Sequence, residues 1–383
     1  MRVFVWLAVM TAAGVPALGE AHLRTYATRY YILHTDLPHD AVREAEVRIT
    51  AMAEMYHART RRFAGRIRRK LPFYLYSKPA DYYAAGGLRG SAGLFDGRRL
   101  MAIAGSRTTG STWHVIQHEG FHQFVHAVIG GDIPVWVNEG LAEYFGEALF
   151  TGDGFVTGVV PPRRLARLQA LIRRGETRSI DRMMRTTIDE WNAGLSVVNY
   201  DQAWSMVHFL AHGDGGRYQD AFNNFIRDVS HGMRWSSAWK KNFGSGTRAF
   251  EQKWRHYWLS LPADPTADRY AEATVATLTS FLGRAAAERQ TFASFEEFRR
   301  KAATGGLLID SRDWLPPALL VGALKRVDKA GVWELRRRAG RWQLFCRMRD
   351  GTTLLGSFKL AKHRLVRESV RVKYIRRAPR RRT

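Results

Sequence analysis

The sequence predicts an α+β protein, because residues with strand character lie near both ends of the chain and helical periodicity fills its middle. Residues 29–35 and 72–76 are rich in aromatic and branched residues, and residues 93–104 have the pattern of a hairpin with an Asp-Gly turn. From 161 to about 298 the pattern is mainly helical, and short strand patterns return after 331. We therefore expect an N-terminal mixed sheet with helices, a helical C-terminal subdomain and a small C-terminal β module.

Helices are predicted wherever apolar residues recur every three to four positions, and the segment 38–63 has this pattern. The predicted helix 113–129 would be capped at its start by Ser111 or Thr112. A second helix, 135–149, follows a Gly-Gly-Asp-Ile-Pro turn. The remaining predicted helical segments span 163–174, 200–212, 216–229, 247–259 and 267–303.

The most informative motif is His118-Glu119-Gly120-Phe121-His122, which has the form H-E-x-x-H. Residues four apart lie on one face of a helix, so the two imidazoles can bind the same ion. Glu119 lies about 100° around the helix, where it can reach a water molecule at that ion and act as a general base. Imidazole and carboxylate ligands in tetrahedral geometry suit Zn²⁺. The motif therefore predicts a zinc site.

A catalytic zinc site needs a third protein ligand and leaves one position open for water. His114 and His126 lie one turn either side of the motif, and ligands spread over two turns are too far apart for one ion. In another zinc class the third ligand is a His six positions after the second, but that position is Val128. The helix that follows the Gly-Gly turn can return to the first helix and bring Glu139 to the ion. We expect Glu139 to complete the site.

Two further carboxylates continue the face of Glu139 along the second helix. Glu143 lies one turn further on, where it can accept the second N–H of a ligand His and fix the orientation of that imidazole. Glu147 lies another turn along and is an alternative ligand. A solvated helix face is the other interpretation of both residues, because charged residues are mostly exposed.

These segments resemble the gluzincin peptidases, in which zinc is held by the two His of H-E-x-x-H and the Glu of an N-E-G helix. The resemblance rests on residues 118–122 and on Trp136-Val137-Asn138-Glu139-Gly140-Leu141-Ala142-Glu143, and it is closest to the peptidase-MA-like domain of exported bacterial proteins. Gln123 and the Pro134-Val135-Trp136 segment are also similar to that domain. The resemblance covers roughly residues 30–259 and implies a zincin-like catalytic domain. We see no Gly-x-Met-Glu-Asn motif, which argues against an aminopeptidase.

The resemblance also implies a hydrogen-bond donor for the oxyanion that forms during peptide hydrolysis. In gluzincins a Tyr near a helix start donates this hydrogen bond, and Tyr200 lies at a similar place in this chain. His208, two turns along the same predicted helix, is a second candidate. Ordinary core packing is the alternative for both side chains.

The start of the chain has the features of a cleavable secretory signal peptide. A basic Arg2 precedes the mostly apolar run 3–18, and Ala17-Leu18-Gly19 is similar to the small-residue cleavage site of signal peptides. This run is short for a transmembrane helix and contains Gly14 and Pro16. We expect residues 1–19 to be removed and the mature chain, without a transmembrane segment, to be exported to the periplasm or outside the cell.

The chain carries a formal net charge of +25, and its one cysteine, Cys346, excludes internal disulfides. Basic residues are dense from 371 to 383. We find no Cys/His finger and no aromatic RNA-binding signature, which argues against nucleic acid as a partner. The expected partner of this basic C-terminus is an anionic surface of the cell envelope, with a solvated tail as the alternative.

The sequence indicates five successive segments, with a break at Leu261-Pro262-Ala263-Asp264-Pro265 between the second and the third. They are a signal peptide at 1–19, a metallopeptidase domain at 22–262, a helical extension at 263–330, a small basic β module at 331–370 and a disordered basic tail at 371–383.

The expected function is that of a zinc-dependent endopeptidase with a peptide or protein substrate. One alternative is a catalytically inactive protein that keeps the peptidase fold and binds the envelope. Another is a zinc hydrolase that cleaves an amide of the cell wall. The presence of Glu119 argues against the inactive protein, because a purely structural zinc site does not need that carboxylate.

Overall fold

The structure is a computed structural model that describes residues 23–105, 110–129, 133–194, 196–244, 246–338 and 341–375. The predicted signal peptide, 1–19, lies outside the described residues. The chain divides into two compact units, one ending at Asp264 and one that starts at Pro265 and also includes Leu149–Val159. Both units contain helices and sheets, which agrees with the α+β prediction. Among the described residues, no helix is long and apolar enough to cross a membrane.

The first unit contains a mixed five-stranded sheet. Its strands are β1 (Arg24–Ala27), β2 (Tyr31–Thr35), β3 (Leu71–Tyr76), β4 (Gly93–Phe95) and β5 (Leu100–Ile103). Their order is β1-β2-β3-β5-β4, with the inner pairs parallel and the two outer strands antiparallel to their neighbours. The predicted hairpin is confirmed, and Gly97 in its turn has a φ of 88°, a conformation that favours glycine. In this strand order β4 forms one edge of the sheet.

Helices α1 to α11 complete the first unit. The predicted cap of the motif helix was wrong. The helix α3 already includes Gly110, so Ser111 and Thr112 lie inside its first turn and not before it. Backbone N–H groups in the first turn of a helix have no partner within the helix. The bounds are α1 (His39–Thr60), α2 (Pro79–Ala84), α3 (Gly110–Val128), α4 (Val135–Gly146), α5 (Pro162–Arg173), α6 (Ile180–Arg185), α7 (Ile188–Ala193), α8 (Val197–His212), α9 (Gln219–Ser230), α10 (Trp235–Phe243) and α11 (Thr247–Ser260).

The motif helix α3 is buried along most of its length and is held in place by two Gln side chains. The amide of Gln117 donates to the carbonyl oxygens of Phe145 at 2.8 Å and Gly146 at 3.1 Å. These carbonyls belong to the last turn of α4, where they have no partner within the helix. The amide of Gln123 donates to the carbonyl oxygen of Pro72 in β3 at 2.8 Å. The motif is thereby fixed both to α4 and to the sheet.

The helices α4 and α8 approach each other closely at Gly140. A Cβ there would lie 2.5 Å from the carbonyl oxygen of Ala203 and 2.6 Å from Cγ2 of Val207. Gly140→Ala must therefore push α4 away from α8, and we expect a loss of about 1–3 kcal/mol in the free energy of unfolding, measured by urea denaturation. At Gly154 an added Cβ meets nothing within 4 Å. If Gly154→Ala costs as much as Gly140→Ala, the close approach is not the cause.

The second unit is built from one long helix, a four-stranded antiparallel sheet and two short hairpins. The sheet has the order β13-β10-β9-β8, and the hairpins pair β6 with β7 and β11 with β12. The strands are β6 (Leu149–Phe150), β7 (Phe155–Val156), β8 (Val332–Arg338), β9 (Arg341–Arg347), β10 (Thr353–Ser357), β11 (Leu360–Ala361), β12 (Arg364–Leu365) and β13 (Arg371–Ile375), and the helices are α12 (Ala267–Ala287), α13 (Phe295–Ala303), α14 (Pro317–Leu324) and α15 (Val327–Ala330).

The structure differs from the predicted segments at the start of the tail and inside the metallopeptidase domain. The predicted disordered tail begins with the strand β13, which pairs with β10 along its whole length; residues 376–383 lie outside the described residues. The hairpin of β6 and β7, predicted as part of the metallopeptidase domain, belongs to the second unit. The strand β13 is placed by its pairing with β10, and the hairpin of β6 and β7 is placed by its packing against α12; local sequence patterns specify neither contact.

The predicted helical extension and the β module form one unit rather than two. The helix α12 packs against the sheet, and the shared core includes Ala271, Val275, Cys346 and Leu354. A helix with one apolar face and a sheet with one apolar face are each unstable alone and become stable when the two faces are buried together. Cys346 is therefore a buried core residue.

Candidate metal centre

The helices α3 and α4 bring His118, His122 and Glu139 together. The Nε2 atoms of the two imidazoles lie 3.0 Å apart, and Oε2 of Glu139 lies 3.4 Å from Nε2 of His118 and 3.6 Å from Nε2 of His122. Around a tetrahedral ion with bonds of about 2.0–2.1 Å, ligand atoms are separated by about 3.3 Å. The three predicted ligands are thus neighbours in an arrangement that can hold a metal ion.

The chemistry of these donors also fits a cation. Glu139 is fully buried, and neither of its carboxylate oxygens accepts a hydrogen bond from the described residues. Burial favours a higher pKa for Glu139, but the neighbouring imidazoles of His122 and His118 hold this pKa at about 2. Burial likewise favours a lower pKa for His118, but Glu139 and Glu143 raise it to about 10. The two shifts show that this buried site stabilises a positive charge beside the carboxylate of Glu139. A metal ion held in place of the imidazole proton would supply the same positive charge.

Glu119 lies next to the ligand set and is held by the edge strand of the sheet. Its Oε2 accepts a hydrogen bond from the backbone N–H of Phe95 in β4 at 2.9 Å. Its Oε1 is buried and has no hydrogen-bond partner among the described residues. Burial raises the pKa of Glu119, and the imidazoles of His118 and His122 oppose the rise. A carboxylate with one oxygen fixed and the other available is suited to accept a proton.

Each ligand imidazole is oriented by a residue of α4. Nδ1 of His118 lies 3.0 Å from Oε1 of Glu143, and Nδ1 of His122 lies 3.1 Å from Oδ1 of Asn138. An acceptor at Nδ1 keeps the proton there and leaves Nε2 for a metal. Glu143 occupies its predicted place. The role of Asn138 was missed, although the residue directly precedes Glu139 in the motif segment.

We expect Asn138→Ala to weaken metal affinity about 10- to 100-fold, because the imidazole of His122 loses the acceptor that orients it. The measurement is a competition titration against a zinc-chelating dye. Asn138→Asp keeps an acceptor oxygen at the same position and should retain most of the affinity. Equal affinities in the Ala variant and the unaltered protein would show that this contact does not position His122.

Arg164 in α5 is a buried cation shared by three carboxylates. Its Nη1 lies 2.6 Å from Oε2 of Glu143 and 2.9 Å from Oε1 of Glu147, and its Nε lies 2.9 Å from Oδ1 of Asp201. Burial favours a higher pKa for Glu143, but the guanidinium of Arg164 holds this pKa well below its usual range. Arg164 therefore keeps the carboxylate beside His118 charged and connects α5 to α4 and α8.

Arg164 was missed by sequence reasoning, although a signal was present. Arg164, Leu168 and Leu171 repeat at i, i+4 and i+7 and so lie on one stripe of α5, whose two leucines are buried. An arginine on an apolar stripe requires buried acidic partners. Glu147, predicted as an alternative ligand, is one of these partners and contacts Arg164. The cluster of His114, Glu143 and Glu147 thus encloses a guanidinium group and does not form a second metal site.

The two candidate oxyanion donors have different surroundings. Tyr200 lies in the first turn of α8, and its ring centroid is 6.2 Å from that of His118. Burial, and then the charge of Glu139, raise the pKa of the Tyr200 hydroxyl, so it stays protonated near neutral pH. His208 packs against Trp204 and Trp258, with ring centroids 5.6 Å and 5.4 Å away. Tyr200 therefore lies beside the candidate metal centre, and His208 lies in an aromatic cluster.

The protein thus has a mixed α and β fold in which α3 and α4 together supply two histidines and one glutamate as candidate metal ligands. A family model described as a protein of unknown function (DUF1570) matches residues 113–233. This range extends from α3 to α9 and includes the ligand set, Glu119 and Arg164. No curated protein and no solved structure matches the chain.

Proposed function

We propose that this protein is a zinc-dependent peptidase that cleaves internal peptide bonds with an activated water. The observation that carries the proposal is the convergence of His118, His122 and Glu139 beside the buried carboxylate of Glu119. The gluzincin resemblance of residues 118–143 supports zinc as the metal and a peptide as the substrate. A site that only stores a metal has no need of Glu119.

The chain's own residues account for the proton transfers of this reaction. A zinc ion, when bound, lowers the pKa of its water and polarises the substrate carbonyl. Glu119 would accept the proton of the attacking water through Oε1, while the N–H of Phe95 holds Oε2, and would pass that proton to the leaving amine. Tyr200 would donate a hydrogen bond to the oxyanion. Glu143 and Asn138 would keep the two imidazoles in position.

The edge strand β4 offers a binding place for an extended peptide. Ala92 and Asp96 flank β4 and form backbone hydrogen bonds with the segment of β5, so their backbone polar groups point toward that strand. Alternation along an antiparallel strand then directs the backbone of Gly93 and Phe95 to the opposite side. Phe95 already donates its N–H to Glu119, so a peptide would pair with this edge through the backbone of Gly93 and the carbonyl oxygen of Phe95 and would pass Glu119. This placement favours cleavage within a chain over removal of a terminal residue.

The proposal extends to the location of the protein. The signal-peptide features of residues 1–19 support export to the periplasm or the outside of the cell. The basic residues from 371 onward would then face an anionic envelope surface. Cell fractionation with an antibody against the mature chain checks this part.

Metal content, measured by mass spectrometry of the purified protein, tests the proposed site. We expect about one zinc per chain in the unaltered protein, none in Glu139→Ala, and most of it in Glu143→Ala, because Glu143 orients a ligand without being one. The zinc-loaded protein should cleave an internally quenched peptide library at internal bonds.

Two results would contradict the proposal at different levels. A folded protein that holds no zinc after zinc loading would rule out the metal centre. A protein with one zinc that cleaves no member of the peptide library would keep the metal centre and remove the peptidase activity.

A further inference from the structure

The second unit contains a cavity with a strongly basic lining. Its volume is about 560 Å³, within the range of small-molecule sites. Six cationic side chains and three carboxylates line it, which leaves a net charge of +3 with His363 neutral. The cationic residues are Arg284, Arg289, Arg312, Lys362, Arg364 and Arg367.

Two of the three carboxylates are already neutralised by neighbouring arginines. Asp310 lies 2.5 Å from the guanidinium of Arg312, and Asp313 lies 2.8 Å from that of Arg367. An ion-paired group contributes little to the field that a ligand meets. The lining cations that form no ion pair within the part of the chain that the structure describes are Arg289, Lys362 and Arg364.

Three lining residues have an unusual backbone conformation. Arg289 has a φ of 59°, Lys362 of 50° and His363 of 59°, all in the left-handed region that favours glycine. Among the described residues, Asp214 is the one other non-glycine residue with a positive φ. Such conformations are costly, and they concentrate at binding and active sites.

These three residues lie at a helix end and in a tight turn, and at both locations the backbone conformation favours Gly or Asn over the residue present. Arg289 directly follows the last turn of α12, where Gln290 N–H donates to Ala285 O at 3.0 Å and Arg289 N–H to Ala286 O at 3.1 Å. This is the Schellman pattern, whose left-handed position is usually Gly. Lys362 and His363 form the two-residue turn between β11 and β12, where Asn-Gly is preferred.

We propose that this cavity binds the phosphate group of an anionic ligand. Guanidinium groups bind phosphate oxygens through paired N–H donors, and a lysine adds a point charge. The cavity volume suits a ligand that carries phosphate on a larger body, either a soluble phosphate ester or a lipid headgroup. The argument is independent of the metal centre and of the proposed peptidase activity.

A variant that removes charge and relieves backbone strain separates binding from stability. Arg289→Gly/Lys362→Asn/His363→Gly gives each position a residue that its backbone favours. We expect its melting temperature to be equal to or above that of the unaltered full chain. Its affinity for inorganic pyrophosphate, measured by calorimetry at low salt, should fall at least tenfold. The control Arg349→Ala/Lys325→Ala removes the same charge from exposed positions and should keep the affinity within twofold.

The proposal is overturned if the unaltered protein does not bind pyrophosphate. It is also overturned if the affinity of the triple variant for pyrophosphate is within twofold of that of the unaltered protein. Sedimentation with vesicles of phosphatidylglycerol in phosphatidylcholine then identifies the source of the phosphate. Vesicle binding that the triple variant loses assigns a lipid headgroup, and pyrophosphate binding without vesicle binding assigns a soluble phosphate ester.

Discussion

Glu119→Gln should reduce peptide cleavage by about 10²- to 10⁴-fold, the usual contribution of a general base, and should leave the zinc content unchanged. The amide of Gln has the shape of the carboxylate, and its oxygen can still accept the hydrogen bond from the N–H of Phe95. The amide is not basic enough to take a proton from water. Since Glu119 is not one of the three candidate ligands, we expect its replacement to leave metal binding intact.

The assay measures cleavage of the peptide library and zinc content on the same preparation. Glu54→Gln is the matched control, because Glu54 lies on α1 with a side chain that is 43% exposed and pairs with Arg29 on the surface. It should change neither quantity by more than twofold. A Glu119→Gln protein that holds zinc and cleaves at the normal rate would falsify the assignment of Glu119 as general base.

Arg164→Leu should lower the free energy of unfolding by about 3–5 kcal/mol, the usual cost of breaking a buried ion pair. The substitution leaves Glu143, Glu147 and Asp201 without the cation that they share. Glu143 and Asp201 are buried, so water cannot replace the lost partner at low cost. We expect zinc affinity to fall as well, because Glu143 loses the contact that holds it beside His118.

Arg167 offers a control on the same helix. It also pairs with Asp201, but its side chain is 47% exposed, so Arg167→Leu should cost less than about 1 kcal/mol. Urea denaturation of both variants gives the comparison. If Arg164→Leu and Arg167→Leu lower the free energy of unfolding by similar amounts, the buried ion pairs of Arg164 stabilise the protein no more than the half-exposed pair of Arg167.

Helical spacing accounts for the part of the site that was predictable from the sequence. His118 and His122 are four residues apart, so one helix presents both imidazoles on one face whatever else surrounds it. The turn after α3 and the N-E-G segment then predicted that Glu139 returns to them, and the structure brings these three residues together. The hairpin of β4 and β5 was also predictable, because an Asp-Gly turn between two strand patterns is a signal local to the sequence.

The sequence by itself thus determined the α+β class, most helices and strands, and the three residues that the structure brings together as candidate metal ligands. Only the tertiary structure decided that Arg164 lies against Glu143, that Phe95 holds Glu119, and that β13 joins the second sheet. The physical reason is that periodicity specifies which face of a helix or strand is apolar but not which distant element covers it. A buried charge or an edge strand acquires its partner only when those elements pack.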